Sequence, residues 1–293
     1  MMKPFLFVAA TVTLWSSVNA NATTPEATNT SRIVTLSGAI TEIVFALGAG
    51  SQVVGVDASS SHPSTVNQLA KVSYHRRLSA EGVLSLAPTL VIATTEAGPP
   101  AAIEHLRSAG VELLIVPHEP TVESALTKIE RIASALDASK AGDTLIAQIG
   151  EQLDLARSSH PADNAKIRVL FIYARGQGTL NVAGRATGAD TIIELAGGVN
   201  AVEGYNNYKP LTSEGAIAAA PDVILLMDKG LESIGGPEAL WQLPGLALTP
   251  AGRQKRVISL DGLLLLGFGP RLGQAALALN QALYTTSADD GRE

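Results

Sequence analysis

Cysteine is absent from the 293 residues. That excludes a disulfide framework, a zinc–thiolate site, a cysteine-held iron–sulfur cluster and a thiol nucleophile. Charged residues are few, at 16%, but 46% of the chain is hydrophobic, so it does not stay unfolded for want of apolar surface. Basic residues number 21 against 27 acidic, a net charge of −6, with no extended basic run; sequence-independent nucleic-acid binding is disfavoured. The patterns G-x-S-x-G, G-x-x-x-x-G-K-[ST] and H-E-x-x-H are missing, which removes the commonest hydrolase, nucleotide and metalloprotease signatures. The histidines His62, His75, His105, His118 and His160 are scattered, and no His-rich loop is present to capture bare zinc or manganese.

Lys3 precedes an apolar run from Pro4 to Trp15, and small residues follow at Val18-Asn19-Ala20 and Ala20-Asn21-Ala22. This is the pattern of a cleaved secretory signal peptide, expected over residues 1–22. The run is short for a membrane span, which needs about 20 apolar residues. Cleavage removes Lys3 and no acid, leaving 20 basic residues against 27 acidic. No cysteine follows the run to carry a lipid. The expectation is an exported, periplasmic protein without stable membrane insertion.

Past a small polar tether to Ser31, short apolar runs at Arg32 to Leu36, Val53 to Val56, Leu90 to Ala93 and Val111 to Val116 alternate with helical spacings such as Ile40, Ile43, Val44 and Leu47. Alternating strand and helix predict a mainly parallel sheet with crossovers. The same grammar restarts with Arg168 to Tyr173, a helix from Asp190 to Ala196, and strands at Val223 to Leu226 and Val257 to Leu260. Helical patterns at Thr121 to Leu136 and Gly142 to Ser159 lie between the halves, the second ended near Pro161. The predicted class is α/β: an N-terminal lobe over residues 23–138, a linking helix over 139–163 and a C-terminal lobe over 164–293, with a ligand cleft between two similar lobes. A helical bridge predicts a nearly fixed orientation of the lobes. Internal repetition supports the duplication: Ser79 to Ala93 aligns with Thr212 to Leu226 at a constant offset of 133, pairing Glu81 with Glu214, Gly82 with Gly215 and Pro88 with Pro221. Convergent helix-to-strand punctuation is the alternative.

The densest polar cluster is Ser73-Tyr74-His75-Arg76-Arg77, in a predicted loop before the first repeat motif. Phenolate is a hard oxygen ligand for ferric iron, and tyrosine holds haem iron in some proteins. A guanidinium nearby favours the charged form of a phenol, whose ordinary pKa is about 10. On these residues alone, a solvated surface turn is the competing reading. His75 is expected to face solvent in preference to ligating, and Arg77 either meets an anion or is solvated. Lys229, just past a predicted strand end, stands where cleft-lining residues gather in open α/β sheets, or is an ordinary exposed lysine. Tyr205, Tyr208 and Phe268 fit either ligand stacking or packing. Glu81 and Glu214 fit paired acid/base catalysis or exposed acids favoured at helix starts.

The run from Lys71 to Ala93, followed by Glu96-Ala97-Gly98-Pro99-Pro100, resembles the periplasmic haem-binding proteins of bacterial haem ABC importers, within the helical-backbone group that includes cobalamin and siderophore receptors. So do V-A-G-R-A-T-G-A-D from Val182, E-L-A-G-G-V-N-A-V from Glu194, Y-K-P-L-T-S-E from Tyr208, G-L-E-S-I-G-G from Gly230 and D-G-L-L-L-L-G-F-G-P-R from Asp261. The match runs roughly over residues 31 to 284. The resemblance implies one ferric haem in the cleft as transported ligand, Tyr74 as iron ligand and Arg76 as the cation supporting its phenolate. It also implies that Glu81 and Glu214 dock onto arginines of an inner-membrane permease driven by its ATPase. Some relatives place a second axial histidine where this chain has Arg175. A guanidinium is a poor metal ligand, so five-coordinate haem is expected, with Arg175, Arg77 and Lys229 as partners for propionates. The protein is expected to be a monomer and not an enzyme. A ferric-siderophore or cobalamin receptor, and less favourably a hydrolase using the two glutamates, are the alternatives.

Overall fold

The continuous apolar runs become strands buried on both faces, as parallel sheets covered by crossover helices require. In the computed structural model, which describes residues 31–159, 166–176, 178 and 180–284, β1 (Ile33–Leu36), β2 (Val53–Val56), β3 (Ala70–Lys71), β4 (Leu90–Thr94) and β5 (Glu112–Val116) form an all-parallel sheet in the order β3-β2-β1-β4-β5. Alternate residues serve opposite faces: Ile33 and Ile92 enter one core, Val34, Leu36, Val91 and Ala93 the other. The helices α1 (Gly38–Ala46), α2 (Ala80–Leu84), α3 (Pro100–Ser108) and α4 (Val122–Ala135) complete the first lobe. The proposed signal peptide, His160 and Pro161 lie outside the described residues.

The bridge is α5 (Ser139–Ser158), 20 residues and so about 30 Å long. The second sheet contains β6 (Arg168–Ala174), β7 (Leu180–Ala183), β8 (Val199–Asn200), β9 (Tyr208–Pro210), β10 (Val223–Met227) and β11 (Val257–Leu260) in the order β11-β10-β6-β7-β9, with β8 beside the start of β6. It is mixed, because β7 runs antiparallel to both β6 and β9. Around it lie α6 (Gly188–Leu195), α7 (Ser213–Ala219), α8 (Asp228–Ser233), α9 (Gly236–Leu240), α10 (Pro250–Arg253), α11 (Gly262–Leu266) and α12 (Leu272–Tyr284). The last of these, absent from the sequence reading, packs along α5. A Cβ at Gly273 would stand 2.5 Å from Gln152 Cβ, so a side chain there would push the two helices apart.

The repeat proves architectural. Ser79 and Thr212 each cap a short helix by accepting from the backbone N–H of Gly82 and Gly215. Each motif then ends at a left-handed alanine, Ala87 with φ 44° and Ala220 with φ 42°, just before its proline. Arg32 beside β1 donates to the carbonyls of Leu86 and Ala87, and Arg168 on β6 donates to Ala219. Equivalent guanidiniums thus satisfy equivalent helix-end carbonyls, one of the obligations of a terminated helix.

The lobes share material. One core takes Ile33, Ile40 and Ile92 from the first lobe, Ile149 and Leu153 from α5, and Phe171, Ile192 and Leu225 from the second. Polar ties cross the same seam. Arg271 pairs with buried Glu42 on α1, Lys128 Nζ on α4 donates to Phe268 O at 3.2 Å, and Thr191 Oγ1 donates to Pro120 O at 2.9 Å. A seam this apolar and this cross-linked holds the lobes in one arrangement.

Candidate functional site

In an open parallel sheet, ligand crevices lie past the carboxyl ends of the strands. Tyr74 follows β3, Glu96 follows β4 and His118 follows β5, so three short connections bring them to one edge of the first sheet. Asp57, wholly buried just past β2, organises that edge. Its Oδ1 accepts from the hydroxyls of Ser59 and Ser60 at 2.9 Å, and its Oδ2 meets His75 Nδ1 at 2.7 Å. Burial pushes the Asp57 carboxyl up, but the hydrogen bonds from His75, Ser59 and Ser60 and the attraction of His75 outweigh it and hold the group below its ordinary range.

His75 therefore does not face solvent, as the sequence reading expects; it is 6% exposed. The expectation fails because the partner, Asp57, comes from another crossover and leaves no local trace. With His75 anchored inward and residues 75–77 wound into a 3₁₀ turn, Tyr74 is directed outward, 38% exposed, its ring tilted over His75 at a centroid distance of 4.4 Å. Gly98 N–H donates to His75 O, and Leu78 N–H donates to Gly98 O. These bonds pin the turn from the other side.

Arg76 donates to the Glu96 carboxylate, which His118 Nε2 also meets at 2.7 Å. Burial alone would lower the pKa of Arg76; Glu96, and with it Tyr74 and Tyr173, reverses this and keeps the guanidinium firmly charged. Arg76 thus lies within the field of tyrosines from both lobes. His118 is pushed down by burial, only partly opposed by Glu96, and further by Lys128, Arg76 and His75. Its Nδ1 is buried without a hydrogen-bond partner.

The second lobe supplies the opposite wall. Tyr173, near the end of β6, meets Tyr208 edge-on at 6.0 Å, and the Arg175 guanidinium carbon lies 5.4 Å from the Tyr173 ring centre. Tyr74, Arg76, Arg77, Tyr173, Arg175 and Tyr208 line one cavity of about 650 Å³. An adjoining cavity of about 540 Å³ carries Tyr173, Arg175 and Lys229, and another of about 450 Å³ carries Arg76, Glu96, His118 and Tyr208. Shared walls make these compartments one interlobe cleft, of a size that accepts a cofactor-sized ligand. Of the residues singled out in the sequence, Tyr74, Arg76, Arg77, Arg175, Tyr208 and Lys229 are brought to it. Glu81 and Glu214 line none of these cavities; each is exposed in the first turn of its helix, α2 or α7. Phe268 is buried at the seam. The sequence reading misses Tyr173, Glu96 and His118 as cleft residues. For Tyr173 a trace exists, since it ends an apolar central strand.

The cleft walls carry four cations, Arg76, Arg77, Arg175 and Lys229, and three phenols, Tyr74, Tyr173 and Tyr208, with Glu96 engaged by Arg76 and His118 and with Glu119 and Asp261 as further acids. Its cations outnumber its acids and its rings offer apolar faces, which suits a ligand that carries negative groups on an apolar body.

Residues 33–263 match the periplasmic binding protein family. The periplasmic heme-binding protein RhuT from Roseiflexus sp. RS-1, solved in apo form, is 49% identical, with 87% of this chain and 98% of that one covered at a TM-score of 0.84. The periplasmic heme-binding protein HutB of Vibrio cholerae is 37% identical over 87% and 99% of the two chains, TM-score 0.80. A vitamin B12-binding protein of Vibrio campbellii is 23% identical over 70% of this chain and 73% of its own length.

Proposed function

The chain belongs to the periplasmic binding protein family, and from that premise we propose that it captures ferric haem between its lobes in the periplasm and delivers it to an ABC permease. Its work is binding and not catalysis. A leader over residues 1–22 is removed on export in this reading, and residues 23–138 and 164–293 are the two lobes on either side of the bridge over 139–163.

The observation that carries the cargo is the exposed Tyr74 hydroxyl side chain at the cleft beside a charged Arg76. The phenolate oxygen binds the ferric iron. Arg76 adds positive potential beside that oxygen, and Arg77, Arg175 and Lys229 pair with the propionates at the cleft mouth. Arg175 stands over the Tyr173 ring and has no lone pair to offer iron, so it would meet a propionate and would not supply a second axial ligand. Glu81 and Glu214, exposed one per lobe at equivalent places of the repeat, dock onto cations of the permease.

Titration of ferric haem into the mature protein tests this. Wild type is expected to develop the visible spectrum of high-spin, tyrosinate-ligated ferric haem. Tyr74→Ala is expected to lose that spectrum and most of the affinity. An unchanged spectrum in the variant would remove Tyr74 from the ligand role. Capture of cobalamin in preference to haem would replace the cargo altogether.

A further inference from the structure

Aromatic rings left exposed inside a cavity are surfaces awaiting a partner. Among the described residues, the large hydrophobic side chains that stand exposed are Tyr74, Leu155, Tyr208, Ile217 and Leu248. Tyr74 and Tyr208 share a feature the other three lack: they line the same 650 Å³ cavity, one from each lobe, at 38% and 40% exposure.

Tyr208 opens β9, where it sits opposite Ala183 on β7. Its edge contact with Tyr173, itself covered by Arg175, supports the ring from the side. A ring fixed this way loses little conformational freedom when a ligand lands on it. Tyr205, three residues earlier, is disposed differently. Its hydroxyl donates to Val182 O at 3.3 Å, Lys209 Nζ lies 4.5 Å from its ring centre, and Gly184 has no room for a Cβ beside it. Tyr208 also has a hydroxyl partner, Thr187, but its ring keeps 40% exposure and lines the cavity, whereas Tyr205 lines none of the cavities described above.

We propose that Tyr208 is a specificity-determining residue that stacks against the face of the macrocycle opposite Tyr74, so that this cleft captures iron-free porphyrin as well as ferric haem. The proposal rests on the haem reading and divides recognition between the lobes: the first grips the metal through an oxygen, the second reads the planar ring through its π-face. Stacking needs no iron. A porphyrin without metal keeps its flat apolar faces and its propionates, and forfeits the Tyr74 bond alone.

The experiment titrates metal-free protoporphyrin IX and ferric haem in parallel into the mature protein, following porphyrin fluorescence and haem absorbance. Wild type is expected to capture both. Tyr208→Ala is expected to weaken the metal-free porphyrin roughly tenfold, and Tyr208→Phe, which keeps the ring, less than about threefold. Tyr74→Phe is expected to cost haem far more than the iron-free ring. Equal binding of the metal-free porphyrin by wild type and Tyr208→Ala, or capture of haem with none of the iron-free ring, overturns the role of Tyr208 and leaves the haem reading standing. Failure of both porphyrins to bind overturns the haem reading itself.

Discussion

A buried carboxylate decides where Tyr74 points. Asp57 holds His75 inward at 2.7 Å, and because consecutive residues of the turn diverge, the tyrosine before it is turned to the cleft. Asp57 titrates below its ordinary value of 3.8 in the folded protein. A depressed carboxyl contributes stability that is fully present above the unfolded value and is lost as pH falls through the folded one. Wild type should therefore lose urea resistance progressively below about pH 4. Asp57→Asn should be weaker by about 1–3 kcal/mol at pH 6, the cost of compromised buried hydrogen bonds, and its midpoint should fall less steeply with acid. Parallel acid profiles of the two proteins would show that Asp57 is not the group responsible. Circular dichroism in urea at pH 6 and pH 3 makes the comparison. At this scale the sequence was legible where the signal is local: Tyr-x-Arg in a basic turn is visible in the bare string, and so are Arg77 and Lys229. It was illegible for the Asp57–His75 pair and for Glu96 and His118, whose partners are 18 to 22 residues away and meet only after the strands are laid side by side.

Elements carry the seam. The strands β1, β2, β4, β5, β6, β10 and β11 are apolar runs flanked by turn residues, and a buried parallel strand announces itself that way. By contrast β3 and β9 are only two and three residues long and exposed, and β7 is half-buried. Their pairing comes from the sheet edge and not from their own composition, which is why the antiparallel half of the second sheet escapes a sequence reading even though Tyr208 on it is singled out there for stacking or packing. Among the helices, α4 hides Lys128, which is wholly buried and donates to Phe268 O across the seam. Burial, opposed by Glu119 and Glu96, lowers its pKa from 10.5 to about 8. Between those values the unfolded chain binds a proton that the folded one has released, so stability rises with pH through that window. Lys128→Met should abolish this rise. The difference in urea midpoint between the two proteins should shift in favour of wild type from pH 7.5 to pH 9.5, by part of the roughly 3 kcal/mol that such a displacement represents. A constant difference would mean that the lysine enters the fold with an undisturbed charge.

The described residues from Ser31 on form two lobes fastened into one body, and in the proposed function delivery has to work with that stiffness. One core runs through both lobes, and the Glu42–Arg271 pair lies across the seam with the glutamate almost fully buried. Removing one partner of such a pair costs far more than the pair contributes, so wide separation of the lobes is resisted. Glu81 and Glu214 ride on capped helices at corresponding positions of the two repeats, and a stiff body holds them at a constant spacing. In the proposed docking, that spacing matches two cations on a two-fold permease, and exposed charges of this kind act on the encounter rate and orientation more than on affinity. Glu81→Ala with Glu214→Ala should leave the haem spectrum and affinity unchanged, since neither side chain lines the described cleft cavities. Haem delivery into proteoliposomes carrying the permease and its ATPase should slow by about tenfold at low salt. Salt should bring wild type down towards the variant, because screening at ~1 M shortens the reach of charge to about 3 Å. Uptake by the double variant at the wild-type rate, in dilute buffer, would show that the permease recognises some other surface of the protein.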